Sequence, residues 1–370
     1  MENTNEVTRK LRARLDEYLA ACRVEPIPLP ENTDELERSY VTGLLRQAEE
    51  ADDEYYVEVY ASYLEGSRVM PGRATAESVF LDPAWRAVES AIRADQDFAG
   101  HCPPVLVGEY PTGTFNAQSV REPEGYLVLL NAGTNILVWH AMVGVAMSSE
   151  EGDLPHGVGD FLSDLIVAYV LGLDVLAVPA PCVWGLESTL SSLLANGIRR
   201  FMIAHEYGHI IAGHLDAAPI NRNRRDPAFI AKSKQEEFEA DWFAARLTLG
   251  SEWPTFRELE VILAADAPDC SDSDLIIRAI EAKATLTAPL MFFTLDHLVS
   301  TARQAVETES RAPETHPPAL DRLEKVIEPM LPHLGGSAVS YWTLARGLRE
   351  LESMVRERAQ QFLMDKPGSP

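Results

Sequence analysis

The chain has 370 residues, and 32 basic against 57 acidic side chains leave a formal charge of −25. Its 46% hydrophobic and 24% charged residues are the profile of a soluble globular protein, long enough for one elaborated domain or two ordinary ones. So acidic a chain lacks the basic surface that phosphate binding needs, which excludes nucleic acid and anionic lipid as main partners.

Residues 5–24 and 33–51 read as helices, divided by Pro26, Pro28 and Pro30, which cannot continue a helix. The acidic run Glu49, Glu50, Asp52, Asp53 and Glu54 reads as a solvated face. A further helix is expected over 82–95, with Pro83 in its first turn. The apolar run Gly125–Asn131, bounded by turn residues, reads as a strand, and 148–160 as a polar loop. Apolar residues at helical spacing (Leu190, Leu194, Ile198, Phe201) predict a long helix from Leu186 to His214. A loop over 216–229 carries Arg222, Arg224 and Arg225. Helices are then expected over 234–249, 254–265, 273–307 (bent near Pro289), 319–330 and 340–363. The fold class expected is α+β, predominantly α-helical, with a small β-sheet.

Two apolar stretches have the length of membrane spans, but Tyr126–Met147 holds Asn131, Asn135 and His140, and Phe161–Ala180 holds Asp164 and Asp174. Each Asp at a bilayer centre costs about 2.5–3.5 kcal/mol, so both stretches read as buried core and no membrane insertion is expected. The charged N-terminus has no apolar signal core, and Cys22, Cys102, Cys182 and Cys270 are far apart, reading as reduced thiols. A cytoplasmic location is the expectation.

The strongest chemical signal is His205-Glu206-Tyr207-Gly208-His209 within the long helix. Residues four apart share a helix face, so His205 and His209 can present two imidazoles to one metal, with Glu206 beside them to polarise a water. A third ligand is needed. The metzincin position holds Leu215, and His214 falls one place short, on another helix face, so it is set aside as a ligand and given no catalytic role; just beyond Gly213, it reads as a cap of the helix C-terminus or a hydrogen-bonding neighbour of the site. In Glu237-Phe238-Glu239-Ala240-Asp241 the two end carboxylates lie one turn apart. Glu237 can complete a His₂Glu site for one Zn²⁺ per chain, and Asp241 can orient a ligand histidine. His316, just before the prolines Pro317 and Pro318 that open a helix, can point into a cleft and donate to an oxyanion. Tyr207 points away from the metal face. The other histidines (101, 140, 156, 297 and 333) read as structural or surface residues, and Met291, Phe292, Phe293 and Leu295 as core.

In this order the motifs resemble those of the HtpX-like and CAAX-prenyl-protease-like zinc metallopeptidases, gluzincins with H-E-x-x-H, a histidine five places on, E-x-x-x-D and T-H-P-x-x-x-x-R. Here these are His205 to His214, Glu237 to Asp241, and Thr315-His316-Pro317 with Arg322. Upstream, Asn116-Ala117, the strand Gly125–Leu130 and Gly133 match an Asn-Ala pair, a Gly-aromatic strand and a turn into a helix. The resemblance covers 106–330 and implies a zincin-like core in which the edge strand of a small sheet flanks the active-site helix. It implies that Asn116 and the strand residues Tyr126, Leu127 and Val128 bind substrate backbone, that His316 holds the oxyanion, and that Arg322 supports the site electrostatically. The domain reading is an N-terminal helical region (1–105), a metallopeptidase domain (106–330, with an insertion over 148–197), and a C-terminal helix and tail (331–370).

The expected function is a soluble zinc endopeptidase acting on a protein or peptide, with Glu206 as general base. Two alternatives stay open. One is an ImmA/IrrE-type regulatory metalloprotease, which also follows H-E-x-x-H with a Glu-x-x-Ala-Asn/Asp helix. The other is an interaction protein with a structural zinc. The sequence leaves the substrate and the oligomeric state open.

Overall fold

A computed structural model describes residues 4–21, 81–100, 102–110, 115–147, 157–173, 185–216, 227–264, 273–306, 316–328 and 337–364, with positions 46, 175 and 178. Chain order is α1 (Thr4–Ala21), α2 (Leu81–Ala94), β1 (Val105–Tyr110), β2 (Ala117–Glu122), β3 (Gly125–Asn131), α3 (Ala132–Ala146), α4 (Val158–Val170), α5 (Gly185–Ile211), α6 (Pro227–Ala264), α7 (Ser273–Val306), α8 (Ala319–Ile327) and α9 (Ser337–Met364). The molecule is mostly helical with one small sheet, as its composition and patterning predict. Apart from position 46, the expected helix over 33–51 lies outside the described residues, as does the whole acidic run.

The sheet order is β1-β3-β2, with β3 parallel to β1 and antiparallel to β2. Because β3 is central it is buried on both faces, which is why its sequence is apolar without alternation. Side chains still alternate in direction. Leu127 and Leu129, with Leu106 of β1, meet Val7, Leu11 and Leu15 of α1, which recur every fourth residue along one helix face. Val128 and Leu130, with Val107, face the main core of α2–α5 and α7. The sheet is therefore sandwiched between α1 and the helical body.

At the centre of that body α5 packs against α6, α7, α3 and α2. Its fit to α6 depends on Gly208. A Cβ there would lie 2.9 Å from Ala240 Cα and 3.0 Å from Ala240 O, a clash with backbone that no rotamer relieves. We expect Gly208→Ala to push α6 off α5 and destabilise the fold by about 1–3 kcal/mol, with weaker metal uptake at the site described next. Urea denaturation and a metal titration check this, and a variant as stable as wild type contradicts the close-approach argument.

Several expected boundaries move. The stretches 126–147 and 161–180 contain β3 with α3, and α4, and among the described residues no helix is long and apolar enough to cross a membrane. Helix α6 starts at Pro227 and runs unbroken through Gly250 and Pro254, where a break between 249 and 254 was expected. Proline fixes φ near about −65°, which a helix accepts, so Pro254 removes one donor without ending the helix. Likewise α7 continues through Pro289. Strands β1 and β2 have no counterpart among the expected elements, whereas α3 lies where the resemblance implies a turn into a helix at Gly133.

Candidate metal centre

Two helix segments build the site: the C-terminal half of α5 and the stretch Glu237 to Asp241 of α6. His205 and His209, four apart on α5, bring their Nε2 atoms to 3.1 Å of each other. Glu237 on α6 reaches both, with Oε2 3.5 Å from His205 Nε2 and Oε1 3.7 Å from His209 Nε2. These three offer ligand atoms all within 4.8 Å of one another, so the group can hold a metal ion. These are the three residues that helical spacing singles out in the sequence.

Around them the structure brings together the other polar residues singled out from sequence. Asp241 Oδ1 lies 2.9 Å from His205 Nδ1, the ring nitrogen turned away from the cluster. Arg322, entering on α8, grips Asp241 with Nε and Nη2 at 2.7 and 2.6 Å and touches Glu237 Oε2 at 3.2 Å. Its guanidinium also lies over the Phe293 ring, 5.1 Å from the centroid. His316 Nε2 is 3.2 Å from Glu237 Oε1, and its side chain is 61% exposed, on the open side of the site. Glu206 is buried and hydrogen-bonded to Ser119 of β2. Ser119 went unnoticed in the sequence because a lone serine on a polar strand carries no signal.

Charge counting shows what the site requires. Glu237 and Asp241 bring two negative charges and Arg322 one positive, all nearly sealed from water. With the buried Glu206 carboxyl beside them, at least one buried negative charge is left for a cation to balance. Without a metal, that role falls to a proton on His205. Burial opposes it, but Asp241 and Glu237 outweigh burial and raise the His205 pKa. His209 has no carboxylate so close; burial and the neighbouring His205 charge lower its pKa to about 3, leaving a bare imidazole. Burial would raise Glu237, yet His205, His316 and Arg322 hold it far below the usual carboxylate range. For Glu206 burial wins and its carboxyl is raised, against the pull of His205, Ser119 and Arg322.

Tyr207 is fully buried on the opposite side of α5 and accepts a hydrogen bond of 2.9 Å from Trp85 Nε1 of α2. The stripe with Phe293 is core, as expected. Of the remaining histidines, His140 is largely buried and its pKa is lowered by that burial. His297 bridges α7 to α9 through Glu352 at 3.1 Å. Positions 101, 156 and 333 lie outside the described residues, as do three of the four cysteines; Cys102 is a free thiol that burial raises to about 11.

One expectation is corrected. Tyr126, Leu127 and Val128 cannot offer substrate a strand edge, because β3 is hydrogen-bonded on one side to β1 and on the other to β2. Leu127 and Val128 are moreover wholly buried. The edge strand that packs against α5 is β2. Asn116, also expected to meet substrate, is an exposed residue just before β2, its backbone N–H bonded to Thr134 Oγ1 at 2.9 Å. His214, set aside as a ligand, is outside the ligand group but touches it, with Nδ1 2.9 Å from His209 Nδ1.

No protein-family model, no curated protein and no solved structure matches the chain.

Proposed function

We propose that this chain is a zinc-dependent endopeptidase of the gluzincin type, akin to the HtpX-like and CAAX-prenyl-protease-like metallopeptidases but with no helix among the described residues long and apolar enough to cross a membrane. The observation that carries this reading is the convergence of His205, His209 and Glu237 on one point with Glu206 adjoining them. Two imidazoles and one carboxylate are the donor set of a catalytic zinc centre, three protein ligands with a position left for water or substrate, and the unbalanced buried negative charge suits a divalent cation. A zinc ion there supplies Lewis-acid activation of water and of the scissile carbonyl.

The chain's own residues do the rest. Glu206, raised by burial toward the range where it can both take and return a proton, removes one from the attacking water and delivers it to the leaving amine. His316, on the open side, donates to the oxyanion, a contact worth roughly 10²–10³ in rate. Arg322 and Asp241 hold His205 in place. The strand β2, paired on one side with β3, offers its other side to a substrate in extended conformation, and Ser119 ties it to Glu206. The substrate class is a protein or peptide segment, met in the cytoplasm.

His316 beside the ligand Glu237 favours this reading over an ImmA/IrrE-type regulatory protease, whose resemblance ends at the two helices. A structural zinc in an interaction protein would be closed by four protein ligands, and the group among the described residues has three. The test is elemental mass spectrometry of the purified chain beside Glu237→Ala. About one zinc per wild-type chain and little in the variant is expected. A wild type that stays metal-free after incubation with Zn²⁺ overturns the proposal.

A further inference from the structure

We propose that His214, held by Glu239, is a positioning residue that fixes His209 in the tautomer whose Nε2 is bare toward the metal. The inference rests on the reading of His205, His209 and Glu237 as a metal site and adds to it two residues that bind no metal themselves.

The contacts form a chain. Gln235 Nε2 donates to Glu239 Oε1 at 2.9 Å, Glu239 Oε2 lies 3.1 Å from His214 Nε2, and His214 Nδ1 lies 2.9 Å from His209 Nδ1. His209 Nε2 is the nitrogen that faces His205 and Glu237. When each ring carries one proton, as a neutral ligand histidine and its relay must, the contacts leave one arrangement. A carboxylate only accepts, so the proton between Glu239 and His214 sits on His214 Nε2. A neutral imidazole has one N–H, so His214 Nδ1 is an acceptor. The proton between the two rings therefore belongs to His209 Nδ1, and His209 Nε2 keeps a free lone pair. Take away His214 and nothing prevents His209 from carrying its proton on Nε2, the nitrogen a metal needs.

A backbone device delivers His214 to this place. Gly213 adopts φ 73°, the left-handed conformation that lacks a penalty only for glycine. It ends α5 in a Schellman turn, with His214 N donating to His209 O at 3.0 Å and Gly213 N to Ile210 O at 3.1 Å. The chain folds back over its last turn, and the His214 side chain, 8% exposed, lies against the ring of His209. The two metal-facing histidines are thus steadied differently: His205 by a carboxylate directly, His209 by a carboxylate acting through a second imidazole.

The experiment uses the full chain with Zn²⁺ as the probe. Zinc affinity is measured by chelator competition for wild type, His214→Phe, His214→Gln and Glu239→Ala. Two-bond ¹H–¹⁵N NMR of the metal-free protein reads the His209 tautomer. We expect His214→Phe, which keeps a ring but no acceptor, to bind zinc about 10–100-fold more weakly and to lose the pure Nδ1–H signature of His209. His214→Gln, whose side-chain oxygen can accept from His209, should recover most of that loss, and Glu239→Ala should fall between. If wild type binds zinc and His214→Phe binds it equally well with the His209 tautomer unchanged, the positioning role is wrong while the metal site stands. A wild type that takes up no zinc overturns both.

Discussion

Glu206→Gln should lose peptide hydrolysis by at least about 10²–10⁴-fold while zinc content stays at the wild-type level. Glutamine matches the size of glutamate and can still accept the hydrogen bond from Ser119, so packing beside β2 is preserved. What disappears is the ability to take a proton and give it back. Because Glu206 follows His205 on α5 but is not among the three converging ligands, metal retention and turnover separate in this variant. Stability should be unchanged or slightly higher, since a neutral amide is easier to bury than the carboxylate that burial already disfavours. The assay is release of peptides from denatured casein, with zinc quantified on the same sample. Turnover within a few-fold of wild type with the metal in place would refute the mechanism.

Arg322→Met is expected to be the most destabilising single change at the site, by about 3–5 kcal/mol in the metal-free protein. Asp241 has no exposed surface, and Arg322 supplies its two shortest contacts, at 2.6 and 2.7 Å. Methionine fills much of the same volume against Phe293 but leaves the carboxylate sealed without its partner. The physical claim is that the loss comes from the stranded charge and not from the missing contact. Asp241→Asn combined with Arg322→Met should therefore be markedly less unstable than the sum of the two single changes. Urea unfolding of all four proteins in chelator closes the cycle, and it must be done without metal because bound zinc would raise every midpoint by mass action. Additive single effects would mean that Arg322 acts as packing alone.

The metal-facing residues were legible because coordination chemistry writes itself into helical spacing. His205 and His209, and Glu237 and Asp241, each lie one turn apart, and one turn of helix is a fixed geometry that tertiary packing does not alter. His316 was legible for a related reason, since prolines that open a helix place the residue before them at its mouth. His214 shows where this logic stops. Five residues on a regular helix turn about 500°, which puts position 214 on another face from 209. Yet α5 ends at Ile211, and the left-handed Gly213 carries His214 back onto His209. Face arithmetic holds only while the helix lasts.

Strand order was illegible for a different reason. The run Gly125–Asn131 declares a strand by its composition, but whether a strand is central or an edge depends on partners that local pattern does not name. Apolar without a break from Tyr126 to Leu130, β3 was a centre strand in disguise. Of the two edge strands, β2 (Ala117–Glu122) is mostly polar and partly exposed, and so it lacks the hydrophobic signature by which strands are recognised.

The seat of α1 on the sheet sets a timetable for the growing chain. Leu11 and Leu15 are wholly buried, but the strand surface that buries them includes Leu127 and Leu129, more than a hundred residues later. At a synthesis rate of about 5–20 residues per second, the helix leaves the ribosome roughly 6–20 s before its partner strand does. Most helical stability in proteins comes from packing an apolar face, and over that interval this 18-residue segment is without its partner surface. Until the strands are made, the apolar face of this otherwise charged helix (Val7, Leu11 and Leu15) has no surface to pack on. Joining these ends late is a long-range step, so changes at Val7, Leu11 or Leu15 should act on the yield of folded protein made in cells more than on the chemistry of chains that have already folded.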